Sequence, residues 1–216
     1  MTLDLSTHDA EIERPGDRWL VNEVLRQRIR FPVLPRSTGG RSFVIEYVYE
    51  PFAGEHVVPA HVHTQVEERF EILAGRARYR LGAREGTAGV GETVVMPAGI
   101  DHVHPWSASD DPLYVRQTAV APIPDVEGME ASIQVALTVL GLAREGKVNA
   151  KGLPNLLQLS VLIAPTMPSA YLAGPPAWLQ RVLFTSLAGV ARALGYRQYY
   201  EKFGGIVNGE LRLPPR

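Results

Sequence analysis

The sequence predicts a mainly β protein, a small barrel followed by C-terminal α-helices. Three observations carry that expectation. Apolar and polar residues alternate through 43–49 and 67–81, the period of half-buried strands. Glycines at 75, 82, 86, 89, 91 and 99 punctuate the chain at short intervals, as barrels and sandwiches require. Beyond Pro122-Ile123-Pro124 the apolar spacing changes from two to three and four, the helical repeat.

Residues 1–17 are polar and end at Pro15-Gly16-Asp17. Trp19 to Ile29 fits either a short helix or an irregular strand, because Asn22, Glu23, Arg26 and Arg28 interrupt both patterns. Pro32 and Pro35 favour extended backbone, and Ser37-Thr38-Gly39-Gly40 reads as a turn. Phe43, Ile45, Tyr47 and Tyr49 make one strand. Pro51 to Pro59 is a loop carrying His56, a surface histidine or a lid residue. Strands are expected near 60–63, 67–74, 76–82, 92–96, 101–105 and 113–120.

Met129, Ile133, Ala136, Leu137 and Leu140 then recur at helical spacing, with Gly146 as the stop. Pro154 opens a second helix through Leu156, Leu157 and Leu159 to Ile163. Pro176 opens a third, with Trp178, Leu179, Val182, Leu183, Leu187, Val190, Ala191 and Leu194 on one side and Gly195 at its end. The chain thus divides into an extension (1–39), a barrel (40–121) and a helical segment (122–216) that packs on the barrel or on a partner subunit. No charged residue lies between Lys151 and Arg181. Prolines 165, 168, 175 and 176 interrupt that stretch, so it is not a transmembrane span. Packing is its expected role; a lid over the barrel mouth and a segment lying on a membrane are the alternatives.

A net charge of −1 argues against nucleic acid and acidic membrane surfaces as partners. With no cysteine, disulfides and thiolate ligands are excluded, which suits a reducing, cytoplasmic setting. The N-terminus shows no basic start and apolar run of a secretory signal. No P-loop, dinucleotide-binding glycine fingerprint or GxSxG elbow occurs.

The chemistry concentrates between Gly54 and Trp106. His61 and His63 share one strand face. Glu68 alternates with Phe70 and Ile72 on the apolar side, so Glu68 rather than Glu67 points inward. A buried carboxylate beside imidazoles needs a partner ion or a metal, and nitrogen with one carboxylate suits a divalent transition metal. We therefore expect His61, His63, Glu68 and His102 to meet around one ion. His104 has the parity of His102 and is expected as an orienter or proton carrier, a plain barrel-rim histidine being the alternative. Tyr79, Phe70, Met96 and Trp106 are read as core before pocket lining. Arg76, Arg78 and Arg80 are read as a solvated face pairing with Glu67 and Glu71.

At these residues the sequence resembles a cupin. The family's first motif appears as Gly54, His61-Val62-His63, Glu68 and Gly75, with one extra residue before His61. The second appears as Gly91, Pro97-Ala98-Gly99 and His102, with Trp106 at the family's asparagine. The resemblance covers roughly residues 40–121. It implies a cupin (double-stranded β-helix, jelly-roll) barrel and metal-ligand roles for His61, His63, Glu68 and His102. It implies iron first among the metals, with manganese, nickel, zinc and copper as alternatives. The expected function is a dioxygenase-like oxidoreductase acting on a small organic molecule, with His104 and Glu68 as catalytic acid–base groups. A non-catalytic sensor and a metal-assisted sugar isomerase or epimerase are the alternatives. A homodimer paired through its sheets is also implied, the uncharged stretch adding to that contact.

Overall fold

Alternation in the sequence becomes alternation in burial. The computed structural model describes residues 15–55, 57–167 and 169–214. Among these, ten strands precede the first α-helix: β1 (Leu20–Asn22), β2 (Gln27–Val33), β3 (Ser42–Tyr49), β4 (His61–His63), β5 (Glu67–Ala74), β6 (Ala77–Leu81), β7 (Arg84–Ala88), β8 (Thr93–Met96), β9 (His102–Ser107) and β10 (Leu113–Val120). Then follow α1 (Val126–Arg144), α2 (Leu156–Ile163), β11 (Ala170–Leu172), α3 (Ala177–Ala193), β12 (Gly205–Val207) and β13 (Glu210–Arg212).

One sheet has the order β1-β2-β3-β10-β5-β8 and the other β11-β4-β9-β6-β7, with β12-β13 a separate hairpin. Neighbours such as β3–β10 and β4–β9 are distant in sequence, so the chain crosses between sheets as in a jelly roll. Glu68, Phe70 and Ile72 on β5 are buried, as are Leu113, Val115, Gln117 and Ala119 on β10. Those residues face the interior between the sheets.

Two glycines of the first motif have a steric reason. Gly54 sits at φ +100, where a Cβ would approach the Tyr49 ring within 2.8 Å. Gly75 sits at φ +78, where a Cβ would lie 2.4 Å from the Pro112 carbonyl oxygen. Both positions require a residue without a side chain.

The stretch 19–29 is strand, not helix. Leu20 and Asn22 on β1, and Gln27, Ile29 and Phe31 on β2, are buried at alternate positions either side of a turn at 23–26, and the two strands pair antiparallel. The β2–β3 register shifts between Arg30 and Val33, around Pro32, which has no N–H to donate. Strand β7 carries no apolar alternation and is held by its pairing with β6 instead. The expected pairing of Glu67 and Glu71 with the arginines at 76, 78 and 80 does not form. Glu67 pairs with Arg69 at 2.7 Å, Glu71 with Arg116 at 3.3 Å, and Arg78 with Glu85 at 2.7 Å. The reason is topological: β5 and β6 belong to different sheets.

Helix α1 starts where the Asp125 side chain accepts the Gly128 N–H, an N-cap. It closes with Gly146 at φ +67, and the N–H groups of Gly146 and Lys147 return to Ala143 and Leu142. By length and composition α1 is long and apolar enough to cross a membrane. Here Met129, Ile133, Leu137 and Leu140 join the same buried cluster as Phe43, Ile45 and Tyr47. The Asn22 amide donates to the Leu140 carbonyl at 2.8 Å, tying the helix to β1.

Helices α2 and α3 meet through Val161, Ala188 and Ala191. The inward side of α3 is not the bulk of its apolar stripe. Gln180, Phe184, Ala188 and Ala191 are buried, whereas Trp178, Leu179, Val182, Leu183, Val190 and Leu194 are exposed. The buried Gln180 amide accepts the Leu172 N–H and donates to the carbonyls of Leu172 and Pro175. That three-way anchor turns its face toward β11, and the two alanines allow close approach to α2.

Candidate metal centre

The hairpin ends place four histidines on one sheet and a glutamate on the other. β4 carries His61 and His63, and β9 carries His102 and His104. The two strands pair with His61 opposite His102. Glu68 projects from β5 across the interior. One ligating atom from each of these five residues lies within 4.8 Å of every other. The structure thus brings together all four expected donors and adds His104, whose Nε2 lies 2.9 Å from Glu68 Oε2. His102 Nε2 lies 3.0 Å from the same oxygen, and His63 Nε2 3.5 Å from Oε1.

Backbone carbonyls set the tautomers. His61 Nδ1 lies 2.8 Å from the Pro59 carbonyl oxygen and His102 Nδ1 2.9 Å from that of Ile100. A carbonyl only accepts, so each Nδ1 donates, and the neutral ring leaves Nε2 as a bare lone pair. The Nε2 of neutral His102 then confronts a carboxylate oxygen at 3.0 Å, lone pair against lone pair. A cation between them resolves that opposition. The donor set therefore fits a divalent metal, and nitrogen with carboxylate suits iron, manganese, nickel, zinc or copper.

Burial pushes the Glu68 carboxyl up, but the imidazoles of His104 and His63, with His104 in hydrogen-bond reach, hold it well below the usual range. Burial, with His104 and His63 nearby, pushes His61 well down. Burial also lowers His104, against the pull of Glu68. At His63 burial pulls the imidazole down, but the Glu68 charge and hydrogen bond together raise it. The cluster thus holds Glu68 towards the ionised form and His61 and His104 towards the neutral one, the forms in which these groups ligate metals.

Gln117 was missed by sequence reasoning. Its amide donates to Glu68 Oε1 at 2.6 Å and orients the carboxylate. The available signal was a polar residue at the inward parity of Leu113, Val115 and Ala119. Phe70, Met96 and Trp106 are buried core, and neither they nor Tyr79 line the cavity beside the cluster. His56 lies outside the described residues.

That cavity has a volume of about 260 Å³. Barrel residues such as Ile29, Phe43 and Ile45 form one side, and Met129, Val139 and Ile163 of the helices form another. The helices stand across the barrel mouth, and β11 extends the sheet at β4, Leu172 opposite His61 and Ala170 opposite His63.

No family model matches the chain, and no curated protein matches it. Solved structures do resemble it. A predicted oxalate decarboxylase from Thermotoga maritima is 12% identical over 44% of this chain and 80% of its own, with a TM-score of 0.41. A protein with a double-stranded β-helix domain from Klebsiella pneumoniae is 13% identical over 53% and 94%, TM-score 0.42. A sugar phosphate isomerase of the cupin superfamily from Silicibacter pomeroyi is 18% identical over 45% and 61%, TM-score 0.38. The assignment itself rests on the crossed order of the two sheets and on both histidine motifs lying on their facing strands. The barrel is a cupin fold. In this barrel the second motif contributes two inward histidines, His102 and His104, and Trp106 is buried without joining the cluster.

Proposed function

We propose that this cupin is a metal-dependent, dioxygenase-like enzyme acting on a small organic molecule held beside the cluster. The observation that carries the reading is the convergence of five donors, four of which (His61, His63, Glu68 and His104) line a cavity of about 260 Å³. His61, His63, Glu68 and His102 hold the ion, iron before the other candidates. When bound, the metal supplies Lewis acidity and oxygen activation.

The chain's own residues do the rest. His104 Nε2, 2.9 Å from Glu68 Oε2, is placed to pass a proton to and from that carboxylate. Gln117 keeps Glu68 turned toward the histidines. The apolar walls and the helices across the mouth exclude water from the reacting end. The protein is further read as a cytoplasmic homodimer, on the strength of the family resemblance and the absence of cysteine.

Elemental analysis and oxygen uptake on the same preparation test this. Wild type is expected to carry a transition metal and consume oxygen with a member of a phenol and diketone panel, and His61→Ala to lose both together. Full metal occupancy in His61→Ala would overturn the ligand assignment. Metal without oxygen uptake, but with ligand-dependent stabilisation, would leave a binding protein in place of the oxygenase.

A further inference from the structure

The cavity wall has a composition that selects its occupant. Among its lining residues there is no lysine and no arginine. Its two carboxylates are both engaged: Glu68 in the cluster, and Asp125, whose Oδ1 accepts the Gly128 N–H at 2.9 Å. Away from the cluster the wall is chiefly aliphatic and aromatic carbon, supplied by barrel and helices alike. A charged group lodged there would lose its hydration with no countercharge, a cost far above that of burying a methylene. The volume lies near the low end of the roughly 300–1,000 Å³ of ligand pockets.

The hydroxyls of Ser132, Thr166 and Ser169 in that wall are spent on backbone carbonyls, and one amide is not. Gln27 is 7% exposed, lines the cavity, and forms no side-chain hydrogen bond among the described residues. It stands on the inward parity of β2, opposite Tyr49 of β3. In the order β2-β3-β10-β5 it is three strands from Glu68, and by register it is level with Leu113, six residues along β10 from Ala119, the partner of Glu68, so the two stand towards opposite ends of the sheet. Its amide is left open to the cavity it lines, where a ligand's hydrogen-bonding group can meet it.

We propose that the cavity takes an elongated molecule with one oxygen-bearing end at the histidine–glutamate cluster, an uncharged apolar body, and a neutral hydrogen-bonding group met by Gln27. Dianions, phosphate esters and polyhydroxylated sugars are refused. The inference rests on the proposed function for which end faces the metal, but body selection belongs to the wall alone.

Three probes of equal length test it: octanol, its terminal diol, and the corresponding dicarboxylate. Binding is measured by calorimetry on metal-loaded wild type and on Gln27→Leu, with metal content determined on each sample. Octanol and the diol are expected to bind at least tenfold more tightly than the dicarboxylate. In Gln27→Leu the diol is expected to weaken about tenfold relative to octanol, whose affinity stays within about twofold and so reports an intact fold. A dicarboxylate that binds as tightly as octanol overturns the proposal, and so does an equal loss for both alcohols in a folded Gln27→Leu. Should that variant not fold, the wild-type series decides alone. Metal absent with the affinity order kept sinks the metal assignment and spares this one; metal present with the order reversed does the opposite.

Discussion

Two glutamates in neighbouring regions of the same sheet are equally buried, each 2% exposed, and the fold treats them differently. Glu46 lies on the outer face of β3. Arg30 Nε donates to it at 2.7 Å, Arg116 Nε at 2.8 Å and the Tyr114 hydroxyl at 2.6 Å. Arg30 in turn stacks on Trp19, 4.7 Å from the ring centre. Glu68 lies on the inner face of β5 and meets no guanidinium; its neighbours are Gln117 and imidazoles. Guanidinium is permanently charged and forks onto a carboxylate, closing the charge for good. Imidazoles and an amide leave the charge open to an incoming cation. The first arrangement is structural, and the second makes sense as a site.

Replacing each glutamate by its amide breaks or sharpens that contrast. Glu68→Gln is expected to reduce bound metal from near-stoichiometric to near nothing, by elemental analysis. Stripped of metal, the same variant should lose some stability, because the imidazoles and Gln117 favour the ionised Glu68 in the fold, but less than Glu46→Gln, since no guanidinium faces it. Glu46→Gln should invert those proportions. Metal content stays at the wild-type value, while unfolding free energy falls by about 2–4 kcal/mol, since two arginines lose their anion. Equal destabilisation of the two stripped variants would abolish the distinction.

Gln117 lies between these extremes. It touches Glu68, not the proposed ion, so Gln117→Leu should weaken metal affinity by about tenfold while barely moving stability. Competition with a chromophoric chelator reads the affinity. An unchanged value would make Gln117 simple filling of the interior.

Much of this was legible beforehand, for identifiable reasons. Strict alternation on β5 placed Glu68 inside, because a one-residue slip would have turned Phe70 and Ile72 out to solvent. The four expected donors meet for the same reason. Gln117 was hidden because a lone polar residue among Leu113, Val115 and Ala119 looks like an interruption until its partner across the strands is known. Which face of α3 meets the rest of the chain was not legible, because an apolar stripe says that a face is sticky, not what covers it. Gln180 and two small alanines decide that, through contacts with β11, just ahead of α3 in the chain, and with α2. Likewise β7 carries no apolar signature, and only its pairing with β6 makes it a strand.

The smallest effect concerns acid. Burial pushes the Glu46 carboxyl up, but hydrogen bonds from Tyr114, Arg116 and Arg30 and the Arg30 charge outweigh it, so its folded value lies below the usual range. A carboxyl depressed on folding stabilises the protein fully above its unfolded value, about 4.3 for glutamate, and loses that contribution as pH falls through the folded value. Glu46→Gln has no such proton to bind. The stability gap between wild type and Glu46→Gln should therefore be level above about pH 5 and narrow below it, by no more than about 1.4 kcal/mol per pH unit. Urea titrations at a series of pH values read this directly. A gap that stays constant as pH falls toward about 3 would mean that Glu46 is not held ionised by its arginines. The outer glutamate would then be as open as the inner one, and the difference between a finished charge and a waiting one would have to be sought elsewhere.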